Sequence, residues 1–148
     1  MKLSLSSVVP APREHVFSAL VDPAILQRCI PGCESLTETA PDTYEATLKI
    51  GVAGLKGIYT GKASIRDRHP PESLTLAFEG KGGPGFVRGS AAIVLTTEGD
   101  GSATRVACEA DVQVGGLIAA VGSRLVEAAA KKLADDFFRQ LSNELQKT

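Results

Sequence analysis

Residues 117–145 read LIAAVGSRLVEAAAKKLADDFFRQLSNEL, and this segment decides the fold. An apolar residue recurs at every fourth position, namely Leu117, Val121, Leu125, Ala129, Leu133, Phe137, Leu141 and Leu145. Four residues at about 100° each advance about 40° beyond a full turn, so the stripe drifts around a helix and does not form a coiled-coil seam. We predict one helix of about 30 residues, roughly 45 Å long, that crosses a curved and twisted sheet.

The segment that precedes this helix, from Cys33 to Val114, alternates apolar and polar residues with the period of a β-strand. Turn signals divide it into short runs, at Pro41-Asp42, Gly51 to Gly54, His69-Pro70-Pro71 and Gly99-Asp100-Gly101. Short connections between consecutive strands predict an antiparallel meander. With a first strand from Leu3 to Val9, the chain has about seven strands.

Two short helices are predicted between the first strand and the meander. Pro12 suits the first turn of a helix over Arg13 to Leu20. Asp22 can cap a second helix, from Ala24 to about Cys29. This order of elements predicts an α+β fold in which the sheet curls around the long C-terminal helix. No linker or internal repeat is visible, so residues 1–148 are expected to form a single ligand-binding domain.

Composition and charge exclude several classes of protein. The 148 residues carry 16 basic and 17 acidic side chains, a formal net charge of -1, whereas nucleic-acid binders depend on clustered positive charge. The longest apolar run in the C-terminal half, Leu117 to Val121, is far shorter than the roughly 20 residues of a membrane span. Three cysteines without a secretory signal indicate reduced thiols and a cytoplasmic protein.

The walls of the predicted core are rich in small residues. They are Ala46, Gly57, Gly61, Ala63, Gly89, Ala91 and Ala110 on the strands and Gly122, Ala129 and Ala130 on the helix. A curved sheet cannot approach a helix everywhere, so we expect a cavity for an apolar ligand unless large side chains such as Phe137 fill it. The predicted wall and mouth positions are Leu48, Tyr59, Phe78, Phe86, Ala91, Leu117, Val121, Leu125 and Ala129.

Motifs for catalysis or metal binding are absent from the sequence. Residues 80–83, Gly-Lys-Gly-Gly, lack the Lys-Ser/Thr pair and the following helix of a phosphate loop, so a β-hairpin is favoured. Because residues 80–86 are dense in glycine, we expect this hairpin to open as a lid at the mouth of the cavity. Cys29 and Cys33 have no further Cys or His cluster to complete a zinc site. Neither His15 nor His69 lies in a motif for a nucleophile or a metal. We therefore predict no cofactor, no metal and no catalytic residue.

Several segments form a recognisable pattern. They are residues 9–12 (VPAP), 22–23 (DP), 28–34 (RCIPGCE), 80–83 (GKGG) with 85–86 (GF), 89–91 (GSA), 114–116 (VGG) and 122–138 (GSRLVEAAAKKLADDFF). Together they resemble the carbon monoxide dehydrogenase G-subunit family of the START-like (SRPBCC) helix-grip superfamily. The resemblance covers nearly the whole chain, and the RCIPGCE and long-helix segments are its most specific parts.

The resemblance implies an apolar-ligand cavity in an accessory subunit. It implies a quinone-like or lipid-like ligand and a carbon monoxide dehydrogenase-type molybdenum hydroxylase as partner, with a role in membrane recruitment or electron transfer. Some members of the family continue past the long helix into a hydrophobic anchor, whereas this sequence stops at Thr148. We therefore expect peripheral contact with the inner face of the cell membrane through the domain surface, including the turn at Ile30-Pro31-Gly32.

Three functions remain open from the sequence. The first is a binding module without enzymatic activity, in which the Tyr59 hydroxyl meets a ligand carbonyl. The second is a small cyclase or hydrolase of the same fold, with Tyr59 and an inward-turned His15 as the best candidates for catalysis. The third is a pure assembly factor whose core is filled.

Overall fold

The computed structural model describes residues 1–52 and 55–146. The strands are β1 (Lys2–Val9), β2 (Cys33–Ala40), β3 (Thr43–Ile50), β4 (Gly57–His69), β5 (Ser73–Gly82), β6 (Gly85–Glu98) and β7 (Ala103–Gly116). The helices are α1 (Arg13–Leu20), α2 (Pro23–Cys29), α3 (Leu117–Ala120) and α4 (Ser123–Gln146). The order of elements is therefore the predicted one, with two short helices after the first strand and a long helix at the C-terminal end.

The seven strands form one antiparallel sheet in the order β1-β7-β6-β5-β4-β3-β2. Strands β2 to β7 follow one another as a meander, and β1 closes the far edge by pairing with β7, as in Leu5 opposite Cys108. The sheet is curved, and its concave face looks towards α4. The α+β architecture of a curved antiparallel sheet around a long C-terminal helix is confirmed.

The two short helices are held where the sequence predicts them. The Asp22 carboxylate accepts hydrogen bonds from the backbone N–H groups of Ala24 (3.0 Å) and Ile25 (3.4 Å), which caps α2. The connection between β1 and α1 is fixed by the fully buried Thr104, whose hydroxyl donates to the carbonyl oxygen of Ala11 at 2.8 Å. These contacts seat α1 and α2 against one end of the sheet.

The prediction of one unbroken helix from Leu117 needs a correction. The chain forms a single turn, α3, and then breaks before the 24 residues of α4. Gly122 has φ +94°, a left-handed conformation that costs any residue with a Cβ atom about 1–2 kcal/mol. The four-residue apolar pattern of the sequence continues across Gly122, but the helical backbone is interrupted there.

The break also changes which residues face the core. Leu117 and Leu125 belong to the predicted stripe, yet they are 68% and 40% exposed. Their neighbours Ile118 and Val126 are buried instead, at 1% and 6% exposure. Further along α4 the stripe is confirmed, because Ala129 and Leu141 are buried. The left-handed Gly122 resets the helical phase between Leu117 and α4. Leu125 lies on α4 itself, about 100° around the helix from the buried Val126, so the drift of the four-residue stripe carries it away from the core.

The hydrophobic interior is divided into two clusters. The large cluster contains the buried residues Val9, Ala11, Val16, Phe17, Ala19, Leu20, Cys29, Tyr44, Ile65, Leu74, Leu95, Val106 and Leu141. The small cluster contains Ile50, Tyr59, Ile118 and Val126, with half-buried residues including Leu48, Val87, Val114, Val121 and Leu133 packed against it. The two clusters share no residue, so the concave face has two packed ends and a region between them.

Candidate functional site

A band of mostly small residues separates the two clusters on the concave face. This central band comprises Ala46 of β3, Gly61 and Ala63 of β4, Phe78 and Gly80 of β5, Gly89 and Ala91 of β6, Ala110 and Val112 of β7, and Ala129 of α4. The strand register joins them, since Ala63 lies opposite Phe78, Phe78 opposite Gly89 and Gly89 opposite Val112. On β4, for example, the band fills the two inward positions between Tyr59 of the small cluster and Ile65 of the large one.

Most of the central band is only half-buried. Seven of its residues are half-buried at inward register positions, namely Ala46, Gly61, Ala63, Phe78, Gly80, Gly89 and Ala110. All of these except Ala110 also line open grooves on the outer face of the sheet, so their exposure includes that face. The band therefore marks a stretch of small residues between the two clusters.

Backbone contacts explain why some band positions carry glycine. A Cβ atom on Gly89 would lie 2.1 Å from the carbonyl oxygen of Asp111, and one on Gly61 would lie 2.9 Å from that of Glu79. These oxygens belong to the neighbouring strands and cannot move away without breaking the ladder. Glycine is thus required by the tight curvature of the sheet, and the same requirement keeps the concave wall free of side chains.

The predicted site residues other than Phe86 are distributed over three places. Phe78, Ala91 and Ala129 lie in the central band, and Leu48 and Tyr59 lie beside it in the small cluster. Leu117, Val121 and Leu125 lie at the α3–α4 junction, where only Val121 packs against the small cluster.

Phe86 lies on the opposite face of the sheet from the other predicted wall residues. It pairs with Lys81 and Gly115, one position out of phase with the inward-facing Val87. Its ring covers Gly115, at a distance of 2.1 Å from where a Cβ atom would stand, and the Arg88 guanidinium lies 5.3 Å from the ring centre. The expectation that Phe86 lines or fills the cavity is therefore corrected, because strand neighbours point to opposite faces.

The Tyr59 hydroxyl is already engaged within the protein. It donates a hydrogen bond to the carbonyl oxygen of Leu55 at 2.6 Å, which ties the β3–β4 connection to the small cluster. Tyr59 is only 7% exposed, and its burial raises the pKa of the phenol. In this state the hydroxyl holds a loop and is not directed at a ligand.

A second tyrosine, Tyr44, is not among the predicted site residues. Tyr44 lies opposite Ala63 at the margin of the central band, and its buried hydroxyl makes no hydrogen bond of normal geometry among the described residues. Burial, and then the charge and hydrogen-bonding capacity of the nearby Glu38 carboxylate, raise the pKa of this phenol, and Arg68 and Asp42 also lie near it. An alternating strand pattern marks Tyr44 as inward, but it cannot show whether a hydroxyl finds a partner.

The glycine-dense segment 80–86 forms the end of the β5–β6 hairpin. The strands remain paired up to Gly82 opposite Gly85, so the turn consists of residues 83–84 alone. The predicted hairpin is confirmed. Opening of this hairpin as a lid stays a prediction.

The remaining candidates for chemistry lie apart from one another. His15 is exposed on α1 and does not turn inward, contrary to the requirement of the enzyme hypothesis. Cys29 is buried in the large cluster, whereas Cys33 and Cys108 are half-buried, and burial raises the pKa of both of these thiols. Within residues 1–52 and 55–146, no three His, Cys, Asp or Glu side chains are grouped as a metal site would need.

Two open grooves, of about 870 and about 780 Å³, cross the outer face of the sheet. Lys62, Glu79 and Arg88 line both grooves. The linings also include central-band residues, namely Ala63, Phe78, Gly89 and Val112 in the first groove and Ala46, Gly61 and Gly80 in the second. The grooves and the band therefore lie on the same part of the sheet.

The described part of the chain contains no helix whose length and apolar character together would allow it to cross a membrane.

Comparison with protein-family models matches residues 6–146 to the family described as the carbon monoxide dehydrogenase G subunit (CoxG). A solved structure of a conserved protein from Geobacillus kaustophilus is similar over 99% of this chain and 96% of that chain, with 38% sequence identity and a TM-score of 0.95. Comparison with curated protein sequences gave no match.

Two further solved structures are similar at low sequence identity. A START superfamily protein from Mycobacterium smegmatis has 14% identity and a TM-score of 0.74, covering 99% of this chain and 97% of that chain. The ZhuI aromatase/cyclase from Streptomyces sp. R1128 has 16% identity and a TM-score of 0.72, covering 99% and 94%. These likenesses show that the chain has the START-like helix-grip fold.

Proposed function

Because the chain belongs to the carbon monoxide dehydrogenase G-subunit family, we propose that it is an accessory protein without enzymatic activity that carries an apolar molecule. The ligand is quinone-like or lipid-like and lies in the central band, between the sheet and α4. The partner is a carbon monoxide dehydrogenase-type molybdenum hydroxylase, which the protein assists in membrane recruitment or electron transfer. It acts in the cytoplasm and at the inner face of the cell membrane.

The observation that carries this proposal is the band of small residues between the two hydrophobic clusters. The central band crosses β3 to β7, which at about 4.8 Å per strand is a span of about 19 Å. Its wall is built from Ala, Gly, Val and one Phe, and no charged residue belongs to it. Such a wall suits an elongated or flat apolar molecule with few polar atoms.

One polar group is available to orient the ligand. The Tyr44 hydroxyl at the margin of the band makes no hydrogen bond of normal geometry among the described residues. Because the Tyr59 hydroxyl is bonded to Leu55, Tyr44 replaces Tyr59 as the proposed polar contact, and a ligand carbonyl that accepts from Tyr44 would compete with the nearby Glu38 carboxylate.

The experiment that tests the proposal is native mass spectrometry of gently purified protein, followed by titration with ubiquinone and menaquinone analogues. In Ala63→Leu, the larger side chain enters the space in front of the half-buried Ala63. Ala92→Leu is the matched control, because Ala92 is exposed on the outer face of β6. We expect the wild type and A92L to bind an apolar molecule and A63L to bind at least about tenfold more weakly, since a leucine side chain displaces a comparable volume of ligand.

Equal binding by A63L and A92L would place the ligand elsewhere on the molecule. Absence of any co-purifying or added apolar ligand would favour a pure assembly factor. Turnover of the bound molecule that disappears in Tyr59→Phe would instead support the enzyme hypothesis.

A further inference from the structure

Three connections meet at one end of the molecule. They are the β3–β4 connection (described at residues 51–52 and 55–56), the β5–β6 turn (83–84) and the β7–α4 segment (116–125), and together with Ile58 they are called the tip. The backbone N–H of Ile118 donates to the carbonyl oxygen of Pro84 at 3.0 Å. A Cβ atom on Gly57 would lie 2.9 Å from the Pro84 ring, so all three connections are in contact at this end.

Large apolar side chains are exposed at the tip. Leu117 is 68% exposed, Ile58 is 58% exposed and Leu125 is 40% exposed. Single exposed apolar residues are common on protein surfaces, but these three share one end with the exposed Ala119 and Ala120. An exposed apolar group of this kind marks an interaction surface.

The charged residues of the tip itself are basic, namely Lys56 and Arg124. Lys49, Lys81 and Arg88 lie on the adjoining strands, where Arg88 is opposite Glu79, and Glu127 follows Arg124 on α4. Within the parts of the chain that the structure describes, none of these five cations forms an ion pair. The tip therefore carries a local positive charge although the net charge of the chain is -1.

We propose that the tip docks on the surface of an anionic phospholipid bilayer, with Leu117 and Leu125 entering the interface and the surrounding cations contacting lipid headgroups. Apolar side chains framed by lysine and arginine are the usual composition of a peripheral membrane surface. This surface is distinct from the Ile30-Pro31-Gly32 turn, where Ile30 and Pro31 are half-buried.

Docking in this orientation bears on the proposed function. Ile118, Val121 and Val126 of the small cluster lie directly behind the tip, and the central band begins on the other side of that cluster. A tip placed in the bilayer interface therefore brings the band towards the lipid, with the packed small cluster between them. The docking rests on the membrane contact of the proposed function and names the surface that makes it.

The test is flotation of the full chain with vesicles of phosphatidylcholine alone and with vesicles that contain about one third phosphatidylglycerol. We expect binding to the anionic vesicles that weakens as salt is raised, because the Debye length shrinks to about 3 Å at 1 M. Leu117→Glu is expected to lower the partition coefficient about tenfold, as befits the loss of one inserted leucine. Arg124→Glu is expected to lower it about fivefold or more.

Matched controls lie away from the tip. Val8→Glu replaces an exposed apolar residue at the opposite end of the sheet, and Lys131→Glu reverses an exposed charge in the middle of α4. Both should bind vesicles like the wild type. The docking proposal is overturned if the wild type prefers neither kind of vesicle, or if the tip variants and the controls lose binding equally. Apolar-ligand binding measured in the same samples separates these outcomes from a failure of the carrier function, since L117E should still bind the ligand.

Discussion

At the scale of single residues, the two buried tyrosines of the concave face have different roles. The hydroxyl of Tyr59 supports the β3–β4 connection through Leu55, and the hydroxyl of Tyr44 makes no hydrogen bond of normal geometry among the described residues. Both phenols are transferred out of water on folding, and this burial raises both pKa values above the usual value of about 10. Whether a buried hydroxyl meets a hydrogen-bond partner depends on tertiary contacts, so this difference cannot be inferred from an alternating sequence.

The raised pKa values of Tyr44 and Tyr59 predict a loss of stability in alkaline solution. As the pH rises through about 10, the unfolded chain releases its phenolic protons first, because the folded pKa values are higher. The folded state then binds more protons than the unfolded state, so the free energy of unfolding falls with further increase in pH. Below about pH 9 the contribution is fully present. Urea denaturation at several pH values between 7 and 11 measures this slope.

Tyr59→Phe should change the measurement in two ways. Loss of the hydrogen bond to Leu55 is expected to lower the free energy of unfolding at pH 7 by about 1 kcal/mol. The decline above about pH 10 should become shallower, because one shifted phenol is gone. Thr60→Val, at the exposed neighbouring position, is the control and should change neither quantity by more than about 0.5 kcal/mol. An alkaline slope that is the same in Y59F and wild type would show that Tyr59 does not contribute to it.

At the scale of the elements, the junction between β7 and α4 decides how the long helix lies on the sheet. The chain leaves β7 at Gly116 with φ +71°, makes one turn in α3, and passes Gly122 with φ +94° before α4 begins. Two left-handed glycines within seven residues thus set the direction of α4 and expose Leu117. The small cluster is built on the residues that this path turns inward, Ile118 and Val126.

Gly122→Ala is predicted to destabilise the protein by about 1–2 kcal/mol. A Cβ atom at this position would meet no neighbour within 4 Å, so the whole cost comes from the left-handed backbone. Gly83→Ala is the matched control, because Gly83 also has open space around it but does not have a positive φ. Its stability should be equal to or slightly above that of the wild type, since alanine reduces the entropy of the unfolded chain. Equal urea midpoints for G122A and G83A would contradict the prediction that the left-handed backbone at Gly122 makes alanine destabilising there.

At the scale of the whole molecule, a helix and a curved sheet meet at two packed ends and leave the central band between them. The large cluster joins α1, α2 and the C-terminal half of α4 to the sheet, and the small cluster joins α3 and the start of α4. Because each end is held by its own contacts, the band can remain open without loss of the fold. A ligand in the band would add contacts that the free protein lacks.

Ligand binding is therefore expected to stabilise the molecule. A quinone analogue at about 100 times its Kd should add about 2.7 kcal/mol, which corresponds to an increase in Tm of roughly 5–10 °C for a domain of this size. Differential scanning fluorimetry measures the shift, and A63L serves as the variant with a blocked band. An unchanged Tm with both ubiquinone and menaquinone analogues, or the same shift in A63L, would contradict a ligand in the band.

The element types, the antiparallel meander, the long C-terminal helix and the enrichment of small residues on one face could all be predicted from the amino-acid sequence. Each of these follows from local periodicity, from turn residues or from side-chain volume, as with Asp22 at the start of α2 and Ala63 on β4. The same local information carried the resemblance to the carbon monoxide dehydrogenase G-subunit family, to which the chain belongs.

The folded chain shows which side chains lie close together. Phe86 lies on the outer face, Tyr59 is bonded to Leu55, Tyr44 lies at the margin of the band, and Leu117, Leu125, Lys56 and Arg124 lie at the tip. These relations depend on strand register and on two left-handed glycines. Both are set by contacts between residues far apart in the chain, and no local pattern records them.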